Sequence, residues 1–161
     1  NRELLDIALE TRNFEISLFW QRSNYFLILN TAISTGALLK FSDQNYLSLI
    51  LSVFGMLVSF LWIQVNLGSK FWQVRWEERV AHFETIEHTN YNLFCVPSDK
   101  LKSEVKKSLD SNLPTNKISK YLYKKINKWI ISKPSVSRQM IYLSIIFFLF
   151  YILLFIFLVF K

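Results

Sequence analysis

Cysteine, proline and glycine are scarce in these 161 residues, which hold one Cys, three Pro and three Gly. A lone thiol, Cys95, builds neither a disulfide framework nor a cysteine metal site, and it reads as an ordinary thiol. The shortage of turn formers leaves a chain of long helices with few turns. Histidine is short too, with only His82 and His88. No Ser/His/Asp ordering, glycine-rich phosphate loop or partnered carboxylate pair accompanies them. We therefore expect no metal, no cofactor and no enzyme.

Charge is missing as well, over stretches long enough to matter. Met140 to Phe160 runs 21 residues without a charge, a Gly or a Pro. At ~1.5 Å per residue such a helix spans the ~30 Å hydrocarbon core of a bilayer. Tyr46 to Leu67 is likewise uncharged, and Asn24 to Lys40 is a shorter, more polar candidate. Only Phe41 to Asn45 separates the last two, which predicts a helical hairpin. The expected fold is all-α: an integral membrane protein with three transmembrane helices and a helical cytoplasmic domain, assembled as a homo-oligomeric ring. Its expected parts are an amphipathic lead-in over 1–23, the hairpin over 24–67, a basic helical domain over 68–139 and a last crossing over 140–161.

The charge that is present lies mostly on one side of these runs. Between Gly68 and Gln139 there are 14 Lys or Arg against 7 Asp or Glu. The positive-inside tendency places that segment and the N-terminal stretch in the cytoplasm, with the hairpin tip outside. Intramembrane carboxylates, Arg and His, the usual marks of ion-coupled transport, are absent from all three runs, which argues against a transporter. The chain opens with Asn1, so a preceding piece is expected, and no cleavable signal peptide is visible.

Within the hairpin, small and polar residues recur on one side of each helix. Ser48, Ser52, Gly55 and Ser59 share a narrow face at 100° per residue, extended by Trp62 and Asn66. Asn30, Thr31, Ser34 and Thr35 form an arc on the first helix, with Ala32 and Gly36 at small-xxx-small spacing. Such faces let helix backbones approach closely in lipid. They serve either as a packing face, within the hairpin or toward a neighbouring subunit, or as the lining of a water-filled path between several copies. The third run has Ser144 as its only polar break and reads as the lipid-facing helix.

Beyond Leu67 the second helix is expected to continue to about Glu87, with Trp72, Trp76, Val80 and Phe83 on one face. A short polar helix starts at Ser98, and Asn112 to Asn116 is a loop. From Lys117 an amphipathic pattern resumes. Lys117, Lys120, Lys124 and Lys128 lie on one side, with Ile118, Leu122, Ile126 and Trp129 on the other. A basic amphipathic helix with a Trp fits the surface of an anionic membrane. Nucleic acid is the less favoured partner for these lysines, and a cytoplasmic protein partner stays open.

One enzymatic pattern competes with this reading. Arg75 and His82 stand in the Arg-x6-His form of HEPN ribonucleases, and Arg79 shares their face. The residue after Arg75 is Trp76, where that family usually has a small polar one, and Glu78 offers the pair an ordinary electrostatic partner.

The stretches Ala8 to Leu27, ALETRNFEISLFWQRSNYFL, and Gly68 to Val80, GSKFWQVRWEERV, resemble the RipA-type octameric membrane proteins of bacteria. The resemblance covers about the first half of the chain. It implies a small bacterial inner-membrane protein in an octameric ring, similar in plan to the octameric pore that accompanies some RNA-targeting CRISPR nucleases, and it carries over no catalytic residue. The expected function is a homo-oligomeric membrane effector or scaffold, or a pore that alters permeability. The alternatives are a membrane-tethered HEPN-like ribonuclease and a docking subunit for a soluble complex.

Overall fold

The computed structural model describes residues 2–40, 45–86, 96–111, 117–132 and 135–160. Among them every element is helical: α1 Arg2–Leu39, α2 Asn45–Ile86, α3 Ser98–Ser111, α4 Lys117–Ile131 and α5 Val136–Val159. Neither Gly nor Pro interrupts α1 before Gly36, so the expected boundary near residue 24 is not a break: lead-in and hairpin arm form one helix. The second helix runs through Gly55 and Gly68 to Ile86, close to the expected end. Cys95, His88 and the 112–116 loop lie outside the described residues.

Helices α1, α2 and α5 form a bundle in which α2 runs antiparallel to both others. Ser23, Asn30 and Ala37 of α1 meet Asn66, Ser59 and Ser48 of α2 in turn. On the other side, Ser137 and Ser144 of α5 meet Gln73 and Asn66, while Tyr151 covers Gly55. The inward positions follow steps of four and three residues. On α2 they are Ser48, Ser52, Gly55, Ser59, Trp62, Asn66, Ser69 and Gln73. On α1 they run Phe19, Ser23, Phe26, Asn30, Ile33 and Ala37; on α5, Ser137, Met140, Ser144, Phe147, Tyr151, Leu154 and Leu158. An average step of ~3.5 residues keeps a seam facing its partner only if the helices wind around each other left-handedly.

Two expectations about the membrane helices are corrected here. Among the described residues only two helices, Tyr46–Thr85 within α2 and Val136–Val159, are long and apolar enough to cross a membrane; the Asn24–Lys40 stretch is not a third. Its Asn, Thr, Ser and Gly residues dilute the apolar side chains below what a lipid-exposed span needs. Nor is the last helix merely lipid-facing. Ser137, Ser144, Tyr151, Leu154 and Leu158 are buried, so α5 supplies one of the three walls of the core.

The bundle is polar inside and apolar outside. Its largest buried hydrophobic side chains are Trp62 and Tyr151, and most other fully buried residues are Ser or Asn, whereas Ile28, Ile50, Leu57, Leu61, Ile146 and Leu153 are all exposed. In lipid this arrangement is favourable, because close backbone packing and interhelical hydrogen bonds, not apolar burial, hold helices together there. With 38 and 42 residues, α1 and α2 are ~57 and ~63 Å long, about twice the ~30 Å apolar thickness of a bilayer. Their paired far ends, α1 up to about Phe19 and α2 from about Phe71, therefore form an arm beyond the uncharged Tyr46–Leu67 run of α2. Apart from this bundle, α3 packs against α4, whose buried Asn127 points its amide to the Leu109 carbonyl at 3.5 Å.

Candidate functional site

The seam of the bundle is a ladder of hydrogen bonds, and each rung uses a side chain short enough to fit between close backbones. At the end nearest the arm, the Ser137 hydroxyl donates to Gln73 Oε1 at 2.6 Å. The next rung joins all three helices. Asn66 Nδ2 donates to the Met140 carbonyl at 3.2 Å and to Ser144 Oγ at 3.4 Å, while Asn66 Oδ1 accepts from Ser23 at 3.5 Å. Trp62 follows, fully buried between Phe26, stacked at 6.1 Å, and Phe147 at 6.0 Å. Its Nε1 has no hydrogen-bond partner among the described residues.

Deeper along the seam, Asn30 turns its amide to the Phe26 carbonyl at 2.9 Å and accepts the Ser59 hydroxyl at 2.6 Å. The Tyr151 hydroxyl donates to the Asn30 carbonyl at 2.8 Å and lies 2.9 Å from Ser34 Oγ. Its ring occupies the space that a Cβ on Gly55 would need. Near the hairpin tip Ser48 donates to the Ala37 carbonyl at 2.8 Å, beside the apolar cluster of Ala37, Leu154 and Leu158. Ser52 is buried and bonds the Leu49 carbonyl of its own helix.

The residues singled out on the hairpin thus have two different surroundings. Asn30, Ser34, Ser48, Ser52, Gly55, Ser59 and Asn66 all lie in or against the seam of a single chain. Thr31 and Thr35 face outward, their hydroxyls bonded to the carbonyls of Leu27 and Thr31 at 2.8 and 2.9 Å. The arc of four splits because consecutive residues stand 100° apart, and the seam takes only one side of it. Sequence reasoning missed Tyr151, Ser23, Gln73 and Ser137. The signal was available in α5, where Ser137, Ser144, Tyr151 and Leu158 recur every seventh residue.

The arm carries a second feature. Leu4, Ile7 and Ala8 of α1, with Phe71, Trp72, Trp76 and Phe83 of α2, line an open cleft of about 570 Å³ that Arg75 and Arg79 also enter. An adjoining depression of about 320 Å³ brings Arg75, Glu78, Arg79 and His82 together, so the two candidate HEPN residues do share one surface. All four are exposed. Among the described residues no group of His, Cys, Asp and Glu could hold a metal ion.

The lysine face of α4 is exposed at Lys120, Lys124 and Lys128; the side chain of Lys117 lies outside the described residues. The opposite, apolar face is uncovered as well, with Trp129 71% and Ile126 54% exposed. Both faces are open, in contrast to the helices of the bundle.

No curated protein and no solved structure matches the chain. A family model does: that of the Octameric membrane protein family (8xMP), over residues 2–160. The match takes in the bundle, its arm and the α3–α4 pair alike, and an apolar-outside, polar-inside helical bundle is what a membrane subunit requires. The chain belongs to the Octameric membrane protein family.

Proposed function

We propose that eight copies of the chain form a ring in the bacterial inner membrane and act there as a membrane effector, opening a path through the ring. The supporting observation is the character of α1. Its second half is hydrogen-bonded alongside the membrane span of α2, so it shares that depth, yet it is less apolar than the two helices able to span a membrane. Its outward side carries Asn24, Thr31 and Thr35 among the exposed Tyr25, Ile28, Leu29, Leu38 and Leu39. A ring that turns this side toward the axis, and leaves α2 and α5 toward lipid, satisfies both facts. The Asn and Ser of the seam are committed within each protomer, which leaves Asn24 and the threonines as the polar groups of α1 able to meet water in such a path. Arg75 and His82 have no catalytic part in this reading. The uncovered lysine face and the uncovered Trp129 face of α4 suit the helix to the anionic cytoplasmic surface of the membrane.

Native mass spectrometry of the purified protein should count eight chains, and expression in cells should raise permeability to a membrane-impermeant dye. Thr31→Val with Thr35→Val should lower that leak while the subunit count stays at eight. Stability should change by less than about 0.5 kcal/mol, since both hydroxyls are exposed and bonded only to their own helix. A full leak from the doubly substituted octamer would remove α1 from the path, and an octamer that never leaks would make a scaffold the better account.

The orientation is tested separately. In a Cys95→Ser background, Tyr46→Cys should react with an impermeant thiol reagent on intact cells and Ser111→Cys should not. The reverse pattern would invert the protein in the membrane.

A further inference from the structure

The arm cleft has a chemistry that α1 and α2 do not need for their own packing. Arg75 and Arg79 lie one turn apart and exposed on α2, and neither is ion-paired with a carboxylate among the described residues. The apolar walls beside them, Phe71 and Trp72 above all, are exposed too, at 64% and 46%. Two unpaired guanidinium groups against bare aromatic rings call for a ligand that is anionic at one end and apolar at the other.

Depth narrows the choice. Phe71 and Trp72 come directly after the apolar span of α2 and Lys70, where aromatic side chains mark the membrane–water boundary. Arg75 then stands ~5 Å farther out, within the headgroup layer, and Arg79 ~11 Å, a few ångströms past it and able to reach back along its long side chain, at ~1.5 Å per residue. From Arg79 and Arg75 through Trp72 and Phe71 to the exposed Leu67, the order along the helix is that of a phospholipid: phosphate, interface, acyl chain. We propose that this cleft binds an anionic phospholipid, with Arg75 and Arg79 on its phosphate and the acyl chain descending along Trp72 and Phe71. Two planar guanidinium forks suit a phosphate better than two ammonium groups would. The site rests on the membrane placement argued above but not on a pore or on the number eight.

The test is native mass spectrometry of the whole protein exchanged into nanodiscs of phosphatidylcholine containing a minor share of phosphatidylglycerol. Wild type should release with phosphatidylglycerol still bound. Arg75→Gln with Arg79→Gln should retain it about tenfold less, as the loss of charge-assisted hydrogen bonds implies. Lys120→Gln, Lys124→Gln and Lys128→Gln together should retain it as wild type does. Should the double Gln variant fail to fold, Arg75→Lys with Arg79→Lys keeps the charge without the forks and should fall between the two.

Equal retention by wild type and the arginine variants would overturn the site. So would displacement of the lipid by inorganic phosphate, which would mean a free anion site, or retention of added RNA in preference to lipid. Loss of subunits in step with loss of lipid would mean that the cleft is a contact between copies. The same spectra count subunits, so an assembly other than eight that still holds phosphatidylglycerol would refute the ring and leave this site standing.

Discussion

Gly55→Leu is expected to take the bundle apart, while Gly68→Leu is expected to do nothing. The difference is one of neighbours. A Cβ at position 55 falls on the ring of Tyr151, whereas at Gly68 it meets no atom within 4 Å. Tyr151 cannot swing away cheaply, because its hydroxyl is held by Asn30 and Ser34 and its ring is fully buried. Forcing bulk into such a contact costs about 1–3 kcal/mol, or more where the backbone cannot yield. Here α5 would have to leave α2, so the upper end of that range applies. Thermal unfolding in detergent, followed by circular dichroism, should show a large drop in midpoint for Gly55→Leu and almost none for Gly68→Leu. Tyr151→Ala should restore part of the loss in the Gly55→Leu background, since the two side chains compete for one volume. Equal midpoints for the two glycine variants would mean that α5 does not lie on this face of α2.

The second large effect is expected at Asn66. This side chain accepts from Ser23 of α1 and donates to Met140 and Ser144 of α5, so it is the point at which all three helices are bonded together. Asn66→Leu removes these bonds, leaves the Met140 carbonyl without that partner and adds branched bulk between close backbones. Single interhelical hydrogen bonds in membranes average only ~0.6 kcal/mol. Three weak bonds together with overpacking should therefore cost about 2–3 kcal/mol. Asn66→Asp offers a check on the mechanism, because it keeps the shape but replaces the amide donor with a carboxyl that is costly to ionise at that depth. Both variants should loosen α5 first. A protease site engineered after Pro134 would then release α5 from the variants in detergent and leave it bound in wild type. If Asn66→Leu were as stable as wild type and held α5 as firmly, the polar rung would contribute nothing and apolar packing alone would hold the bundle.

Much of this molecule was legible in the order of its residues. Long charge-free runs with so few Gly and Pro require helices that satisfy their own backbones, and the runs at Tyr46 and Met140 announce membrane spans by length alone. The Ser48, Ser52, Gly55, Ser59 face was visible at helical spacing, as were the starts of α3 and α4. What periodicity cannot state is the partner of a face. A small-residue stripe has the same pattern whether it receives a helix of its own chain, a neighbouring subunit or water, and only the tertiary structure assigned it to α1 and α5 of the same protomer. The same limit hid the role of α5. In a run where nearly every residue is apolar, the hydrophobic pattern has no amplitude, and the buried side is set instead by which residue fits a partner's surface: Tyr151 over the bare backbone of Gly55, with its hydroxyl reaching Asn30 and Ser34. The division of the α1 arc has the same cause. Thr31 and Thr35 differ from Asn30 and Ser34 by 100° of rotation and not by chemistry, so which pair was enclosed and which was left outward was decided by where α2 and α5 lie.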